Sequence, residues 1–380
     1  MAGIALTDVA RTFLKIGAIG FGGPAIIGLM QHEVQETRRW LSRHQFVEAL
    51  GIVNLLPGPV AAQLAIFVGH AKGGAAGGVI AGLAFMLPGF IILTALASAY
   101  GTFGEQPLLR SALYGAGPVA IGIFAAAVYR LGLAAINDRA QLLICLCAAM
   151  ALALAGSHVA LLLLLAGCTG VAVFHTVRAG ALSAMVVIAA AVAFAHVAWP
   201  LAHGDAAGAP SLLQLATFFV EVGALTFGGG ISILAFLQQA MVGELHWLSP
   251  QEFVDGLALG QLTPGPVLML AAFVGYKLMG LPGAAVAAVA VFLPSFLMML
   301  AILPVLQRFG ELRWLKAAMK GIGPAVIGVL GISLVQLAWH AANDGVAAAL
   351  IASACAAVLL WNIGALWLMA AGAVIGVVTQ

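Results

Sequence analysis

Two Pro-Gly-Pro triplets interrupt apolar stretches of this sequence, at residues 57–59 and 264–266. Proline lacks a backbone N–H and cannot continue a helix, and glycine weakens a helix further. A helix that begins directly after such a break has unpaired N–H groups and a partial positive charge in its first turn. Because these groups attract negative charge, each triplet is a candidate anion site that needs no charged side chain.

A second pair of breaks is formed by glycine, in the Phe-Gly-Gly motifs at residues 21–23 and 227–229. Amides and a hydroxyl flank the Pro-Gly-Pro breaks and can donate hydrogen bonds to an oxyanion. Four helix ends could therefore meet near the middle of a membrane. The predicted substrate-binding residues are Lys15, Gly22, Gly23, Pro24, Asn54, Pro57, Gly58, Pro59, Gln63, Gly228, Gly229, Gly230, Gln261, Thr263, Pro264, Gly265 and Pro266.

Three carboxylates are candidates for carrying a coupling proton. Glu48 and Asp255 occupy matching positions, nine residues before Pro57 and Pro264 respectively, and Glu221 lies in an apolar segment. An intramembrane carboxylate is a functional candidate by default. Glu48 and Asp255 also have a structural interpretation, since an acidic residue is favoured in the first turn of a helix.

Lys15 and Glu221 stand at matching positions with opposite charge, seven residues before the first glycine of their Phe-Gly-Gly motifs. A buried lysine could bind an anion directly, whereas a lysine near the interface extends its ammonium group to water. The breaks also have an alternative interpretation, because glycine and proline are common in membrane helices, where they form kinks or allow close packing. The polar neighbours could equally satisfy backbone groups at the broken helices.

The composition requires a membrane to surround these segments. Of 380 residues, 63% are hydrophobic and 7% are charged, whereas soluble domains carry about 25% charged residues. The sequence therefore predicts an all-α polytopic membrane protein. A net charge of +2 gives no reason to expect nucleic acid as a partner. We find no nucleotide-binding loop, catalytic constellation, metal-ligand spacing or cofactor motif, so we expect neither an enzyme nor a metal or cofactor.

The chain is duplicated. Its motifs recur in the same order at an offset of 206 or 207 residues, as in "FMLPGF" at 85–90 and "VFLPSF" at 291–296. A register this steady over more than 100 residues indicates an internal repeat. We expect a first repeat at 1–180, a linker at 181–211 with an extra span at 183–201, and a second repeat at 212–380.

The distribution of lysine and arginine predicts that the two repeats are inverted. Arg38, Arg39 and Arg43 follow the first Phe-Gly-Gly motif, whereas the matching loop at about 238–252 has no Lys or Arg. Basic residues favour cytoplasmic loops. Re-entrant segments at the breaks, full spans at about 76–100 and 110–130, and a hairpin of two spans at about 141–156 and 159–177 place the N-terminus in the cytoplasm and the C-terminus outside. The alternative is that the segments at the breaks cross the membrane fully. Inverted repeats with interrupted helices indicate a secondary transporter.

The duplicated Phe-Gly-Gly and Pro-Gly-Pro pattern, with "WLS" between, resembles the chromate ion transporter family in its long, two-domain form. The resemblance covers nearly the whole chain. It implies export of chromate across the inner membrane, driven by membrane potential or protons, with chromate resistance as the result and sulfate as a competing analogue. The residues themselves indicate only an oxyanion-capable secondary transporter. An anion channel and a transporter of sulfate or another oxyanion remain alternatives, and a homodimer is the expected assembly.

Overall fold

The computed structural model describes residues 5–21, 23–54, 56–104, 106–155, 159–193, 210–226, 234, 237–309, 313–342 and 344–379. These residues form helices and short connections, which confirms the predicted all-α fold. The first repeat and the linker contain α1 (Leu6–Ile19), α2 (Gly23–Gln31), α3 (Arg43–Val53), α4 (Val60–Phe103), α5 (Pro107–Ala135), α6 (Arg139–Ala155), α7 (Val159–Phe174) and α8 (Val177–Ala193). The second repeat contains α9 (Leu212–Ala224), α10 (Pro250–Gln261), α11 (Leu270–Phe309), α12 (Arg313–Ala341), α13 (Gly345–Trp361) and α14 (Ala365–Thr379).

The sequence repeat is also a repeat of backbone conformation. Helix α4 breaks at Gly73 and Gly74, with φ/ψ of −135°/21° and 60°/−156°. Helix α11 breaks at the matching Met279 and Gly280, with −141°/19° and 63°/−152°. Short π-helical turns at His32–Thr37 and Gln238–Glu244 precede α3 and α10. Both α3 and α10 begin with a capping box, in which the serine of the "WLS" motif bonds the backbone three residues later.

The breaks in α4 and α11 turn each helix into a tight helical hairpin. Gly69 lies against the Gly77 carbonyl, and Gly275 lies against the Gly283 carbonyl, so closely that a Cβ at either position would overlap it. Residues eight apart in a straight helix would be about 12 Å apart along its axis. Each helix therefore consists of a short arm (60–72 or 270–278) and an antiparallel long arm (75–103 or 281–309).

In the first repeat, both broken segments enter and leave on the face where α1 begins. The Leu6 side chain lies against Gly73, which places the hairpin turn at the start of α1. Ile26 of α2 lies against Gly20 at the end of α1, and Glu33 reaches back to Lys15. Helix α2 therefore returns antiparallel to α1, as a re-entrant segment does.

The second repeat is inverted relative to the first. Tyr100 lies at the end of the long arm 75–103, opposite the hairpin turn at Gly73, and its hydroxyl donates to Asp255 near the start of α10 at 2.8 Å. Lys277, next to the second hairpin turn, pairs with Glu252 at 2.8 Å. The re-entrant segments of the second repeat thus enter from the face that Tyr100 occupies, which is what the distribution of basic residues predicted.

Glycines bring the first helix of each repeat onto the long arm that follows it. A Cβ at Gly17 would overlap the Phe85 carbonyl, and a Cβ at the matching Gly223 would overlap the Val291 carbonyl. Small residues at helix contacts allow backbones to approach this closely in membranes. The ends of α1 and α9 are therefore held against the middle of the long arms, at the level of the breaks.

The spans predicted at 76–100 and 110–130 agree with the long arm of α4 and with α5 to within five residues. Those predicted at 141–156 and 159–177 coincide with α6 and α7, which are shorter apolar helices of 17 and 16 residues. Among the described residues, four helices are long and apolar enough to cross a membrane: Val60–Phe103, Pro107–Ala135, Val267–Ala301 and Arg313–Ala341. Proline suits the first turn of a helix, since its missing N–H is not needed there, so Pro59 and Pro266 could each start a half-helix. Instead Pro59 is the N-cap of α4, and Pro266 precedes a 3₁₀ turn at Val267–Met269. The linker helix α8 begins at Val177, six residues before the predicted span, and residues 194–201 of that span lie outside the described residues. The domain boundaries stay predictions.

We predict that thiols at matching positions of the two repeats react from opposite sides of the membrane. Thr37 and Gly243 are exposed, and they lie at the ends of the π-helical turns His32–Thr37 and Gln238–Glu244. In a background with the four native cysteines replaced by alanine, a membrane-impermeant maleimide should label Thr37→Cys and Gly243→Cys from different faces. Labelling of both residues from the same face would contradict the inverted arrangement.

Candidate functional site

Two backbone hydrogen bonds join the breaks of one repeat to the breaks of the other. The Gly58 N–H donates to the Thr226 carbonyl at 2.6 Å, and the Gly265 N–H donates to the Gly20 carbonyl at 2.8 Å. Gly20 and Thr226 each directly precede a Phe-Gly-Gly motif. The four breaks therefore meet as two crosswise pairs, which we name the first junction (at Gly58) and the second junction (at Gly265).

These two hydrogen bonds limit how the Pro-Gly-Pro turns could bind an anion. The N–H groups of Gly58 and Gly265 already have carbonyl partners, so neither is a free donor to an anion. Both glycines have a positive φ, 129° and 105° respectively, which is a backbone conformation that side chains disfavour. Glycine is required here because the turn must present its N–H across the repeat boundary.

Polar side chains line the first junction. The Gln63 Nε2 donates to the Pro57 carbonyl at 2.5 Å, while the Gln63 Oε1 is buried without a partner among the described residues. The Ser295 Oγ of the second repeat is likewise buried without a partner. A Cβ at Gly58 would overlap both the Ser295 Oγ and the Gln63 Nε2, so both side chains face this α-carbon.

The start of α4 adds backbone donors at the first junction. Its first three N–H groups, those of Val60, Ala61 and Ala62, have no partner within a helix by geometry. No side chain caps this end of the helix, and all three residues are buried. The N-terminus of α4 therefore directs a partial positive charge into the protein interior.

The second junction is apolar where the first is polar. Gly89 occupies the position that matches Ser295, and it lies against the Pro264 carbonyl. The positions that match Gln63 are Met269 and Leu270, because the offset between the repeats falls from 207 at Pro59 and Pro266 to 206 at Gly69 and Gly275. A cavity of about 10 Å³ beside Gln261, lined also by Leu257, Gly260, Val267 and Leu270, is too small for an oxyanion.

Other predicted donors bond to their own helices. The Asn54 amide donates to the Leu50 carbonyl at 2.8 Å, and the Thr263 hydroxyl donates to the Leu259 carbonyl at 2.8 Å. These contacts agree with the alternative that polar residues satisfy backbone groups at a broken helix. Pro57, Pro59, Pro264 and Pro266 lie within the two turns. Gly23 and Pro24 begin α2, whereas Gly22, Gly228, Gly229 and Gly230 lie outside the described residues.

Lys15 lies about one turn before the end of α1, in a cluster with a carboxylate that the sequence analysis did not single out. Its ammonium group pairs with Glu33 at 3.0 Å, and Arg38 pairs with the same carboxylate at 3.0 Å. Glu33 is buried although Lys15 is largely exposed. Burial alone would raise the pKa of Glu33, but the hydrogen bonds from Lys15 and Arg38 hold it below its ordinary value. The spacing from Glu33 to Arg38 gave no helix-periodic signal, since a π-helical turn lies between.

The proton-coupling candidates have different environments. Asp255 is buried, and both of its oxygens accept hydrogen bonds, from Tyr100 at 2.8 Å and from Gln251 at 2.9 Å. The matching Glu48 is exposed, and Glu221 is partly buried in α9. Asp255 bonds across the repeat boundary, because Tyr100 belongs to the first repeat.

Alanine substitutions at three glycines should change protein stability by different amounts at the first junction, in an ordinary helix and in an ordinary turn. Gly51 is helical with free space around it, so Gly51→Ala should stabilise by up to about 1 kcal/mol. Gly74 has free space but a positive φ, and Gly74→Ala should cost about 1–3 kcal/mol. Gly58→Ala adds steric overlap and should lower the melting temperature most. A Gly58→Ala protein as stable as Gly74→Ala would contradict the close packing of the first junction.

Comparison with known proteins agrees with the two-repeat architecture. Residues 7–173 and residues 213–377 each match the chromate transporter family. A chromate transport protein of Cupriavidus metallidurans is 36% identical over 365 residues, which cover 93% of this chain and 88% of that protein. A probable chromate transport protein of Synechococcus elongatus is 32% identical over 345 residues (89% and 86%), and a chromate transport protein of Pseudomonas aeruginosa is 33% identical over 336 residues (86% and 79%). No solved structure matches the chain significantly. The chain is a member of the chromate transporter family.

Proposed function

We propose that this protein is a secondary transporter that exports chromate across the cytoplasmic (inner) membrane and thereby confers chromate resistance. The observation that carries the proposal is the crosswise pairing of four helix breaks between inverted repeats, in a chain whose relatives are named chromate transport proteins. Inverted repeats with discontinuous helices place transporter sites near the membrane midplane. Chromate is a tetrahedral oxyanion, and helix N-termini bind such anions.

The membrane potential supplies a driving force for export. Moving one elementary charge across 100 mV is worth about 2.3 kcal/mol, so an exported dianion gains roughly twice that energy from a negative interior. The orientation follows from the basic residues. Arg38, Arg39, Arg43 and Lys72 lie on the α1 face, which we assign to the cytoplasm. The C-terminus then lies outside.

Alternating access would act on the two junctions. Each junction joins the two repeats through a Gly N–H bond to a carbonyl. A rocking motion of one repeat against the other would break this bond at one junction, and the freed groups would then need water or the substrate as new partners. Rocking of inverted repeats about a fixed site is the usual form of this motion. Sulfate as a competing analogue and assembly as a homodimer are further predictions of this proposal. A channel, or a transporter specific for sulfate, is the alternative.

Everted membrane vesicles test the proposal directly. Export from the cell appears there as uptake, so vesicles containing the protein should accumulate chromate when energised. Collapse of the membrane potential should reduce this uptake, and Gly58→Val should abolish it while Gly51→Ala leaves it unchanged. Uptake that is equal with and without the protein would refute chromate transport, and preference for sulfate over chromate would favour the alternative transporter.

We further propose that Asp255 couples transport to protons. Its carboxylate holds the Tyr100 hydroxyl of the other repeat, at the face that we assign to the exterior. Protonation removes the negative charge, and charge-assisted hydrogen bonds are about twice as strong as neutral ones. A proton from outside would therefore weaken this contact between the repeats. Lys277 lies over the Tyr100 ring and pairs with Glu252. Protonation of Asp255 would therefore affect all of these contacts together.

Paired substitutions distinguish coupling from a structural role. Asp255→Asn should flatten the dependence of chromate uptake on the imposed pH gradient, while uptake driven by membrane potential persists. Glu48→Gln changes the matching, exposed carboxylate and should leave the pH dependence intact. An Asp255→Asn protein with the full pH response would show that the coupling proton, if any, is carried elsewhere.

A further inference from the structure

Two buried polar groups at the first junction lack hydrogen-bond partners among the described residues. They are the Gln63 Oε1 and the Ser295 Oγ, and both residues are 0% exposed. At least nine in ten buried polar groups in folded proteins are bonded, and an unbonded one costs about 1–3 kcal/mol. Two such groups in residues that face the same glycine therefore indicate a position where a polar partner binds.

The donors at this position favour an anion. The Gln63 amide is fixed by its bond to the Pro57 carbonyl, and its second N–H remains available. The Ser295 hydroxyl can rotate to donate. The unpaired N–H groups at the start of α4 belong to the same turn, and the helix dipole adds positive potential. These groups together offer several donors and no formal negative charge.

The second junction lacks this chemistry. Gly89 replaces Ser295, Met269 and Leu270 replace Gln63, and the 3₁₀ turn gives the Met269 N–H a carbonyl partner at 2.9 Å. The Gly89 backbone also packs on the Pro264 carbonyl, which fills the space. The two junctions share a backbone geometry but differ in their polar groups, so the symmetry of the fold does not extend to a symmetric pair of sites.

We propose that the protein holds one tetrahedral oxyanion, at the first junction only, with the Ser295 hydroxyl and the Gln63 amide as its side-chain ligands. The inference rests on the proposed function and locates its substrate. The amides of Val60, Ala61 and Ala62 complete the donor set. The Gln63 Oε1 then accepts an O–H, either from a bound water molecule or from a protonated form of the oxyanion.

The packing explains how such a site would be opened. Ser295 belongs to the second repeat and Gln63 to the first, and both lie close to the Gly58 α-carbon. An oxyanion fits between them only when the repeats separate at this junction. Binding would then stabilise the separated arrangement, because the anion replaces the direct packing with hydrogen bonds to both repeats.

Binding of chromate to the purified full-length protein tests the inference. The probe is the shift in melting temperature as chromate is added in detergent, from which an apparent Kd follows. Ser295→Ala and Gln63→Met should each weaken chromate binding at least tenfold, since each removes a hydrogen bond to an anion. Gln63→Glu, with nearly the same shape and a negative charge, should weaken binding further. Ser333→Ala removes an equally buried serine hydroxyl from α12 and should bind chromate like the wild type.

The outcomes separate this inference from the proposed function. Absence of any chromate-dependent shift in the wild type refutes the proposed function itself. A wild-type shift that persists unchanged in both Ser295→Ala and Gln63→Met overturns the inference, since water would then be the partner of the two groups. Chromate binding by Gln63→Glu that is as tight as in the wild type also overturns it, since a carboxylate beside the bound anion would repel it. Stabilisation of the wild type by sodium ions, lost in Gln63→Met, overturns it in favour of a cation site. If Ser295→Ala fails to fold, Gln63→Met decides alone, because that residue belongs to the other repeat.

Discussion

The structure depends on the requirement that backbone broken at membrane depth must find partners inside the protein. Each Pro-Gly-Pro turn presents an N–H that no residue of its own repeat satisfies, and the carbonyl that accepts it belongs to the other repeat. Because an unsatisfied backbone group in hydrocarbon costs several kcal/mol, neither repeat is complete alone. The crosswise bonds therefore explain both why the chain is duplicated and why its halves must be inverted.

The same constraint accounts for the glycines around the breaks. A positive φ at Gly58 and Gly265 directs the N–H across the repeat boundary. Close approach at Gly17 and Gly223 brings the ends of α1 and α9 onto the long arms, which sets the depth at which their terminal carbonyls lie. Side-chain packing contributes little to this alignment, since backbone meets backbone at these points. The position of the junctions is thus determined by small residues, and the polar groups at the junctions are not needed for it.

Much of this architecture follows from sequence because it rests on patterns that repeat. The offset between "FMLPGF" and "VFLPSF", the basic residues and the paired triplets predicted inversion and re-entrance, and the structure confirms the fold. The pairing of each triplet with the opposite Phe-Gly-Gly motif could not be predicted, because sequence does not specify which broken ends meet. Glu33 was missed for a related reason, since the π-helical turn changes its spacing from Arg38. Ser295 was visible as the residue that replaces Gly89, but its burial against Gly58 was not.

The asymmetry between the junctions has a physical rationale. A dianion buried beside a fixed cation would be held strongly and released slowly, because a low dielectric magnifies the attraction. Hydroxyl, amide and helix N–H donors stabilise it by many weaker bonds, which a relative movement of the repeats can break one after another. The charge of Lys15 is already paired with Glu33, so it is not a free fixed cation at the junctions. Neutral donors at one junction and apolar packing at the other allow the repeats to separate around a single substrate.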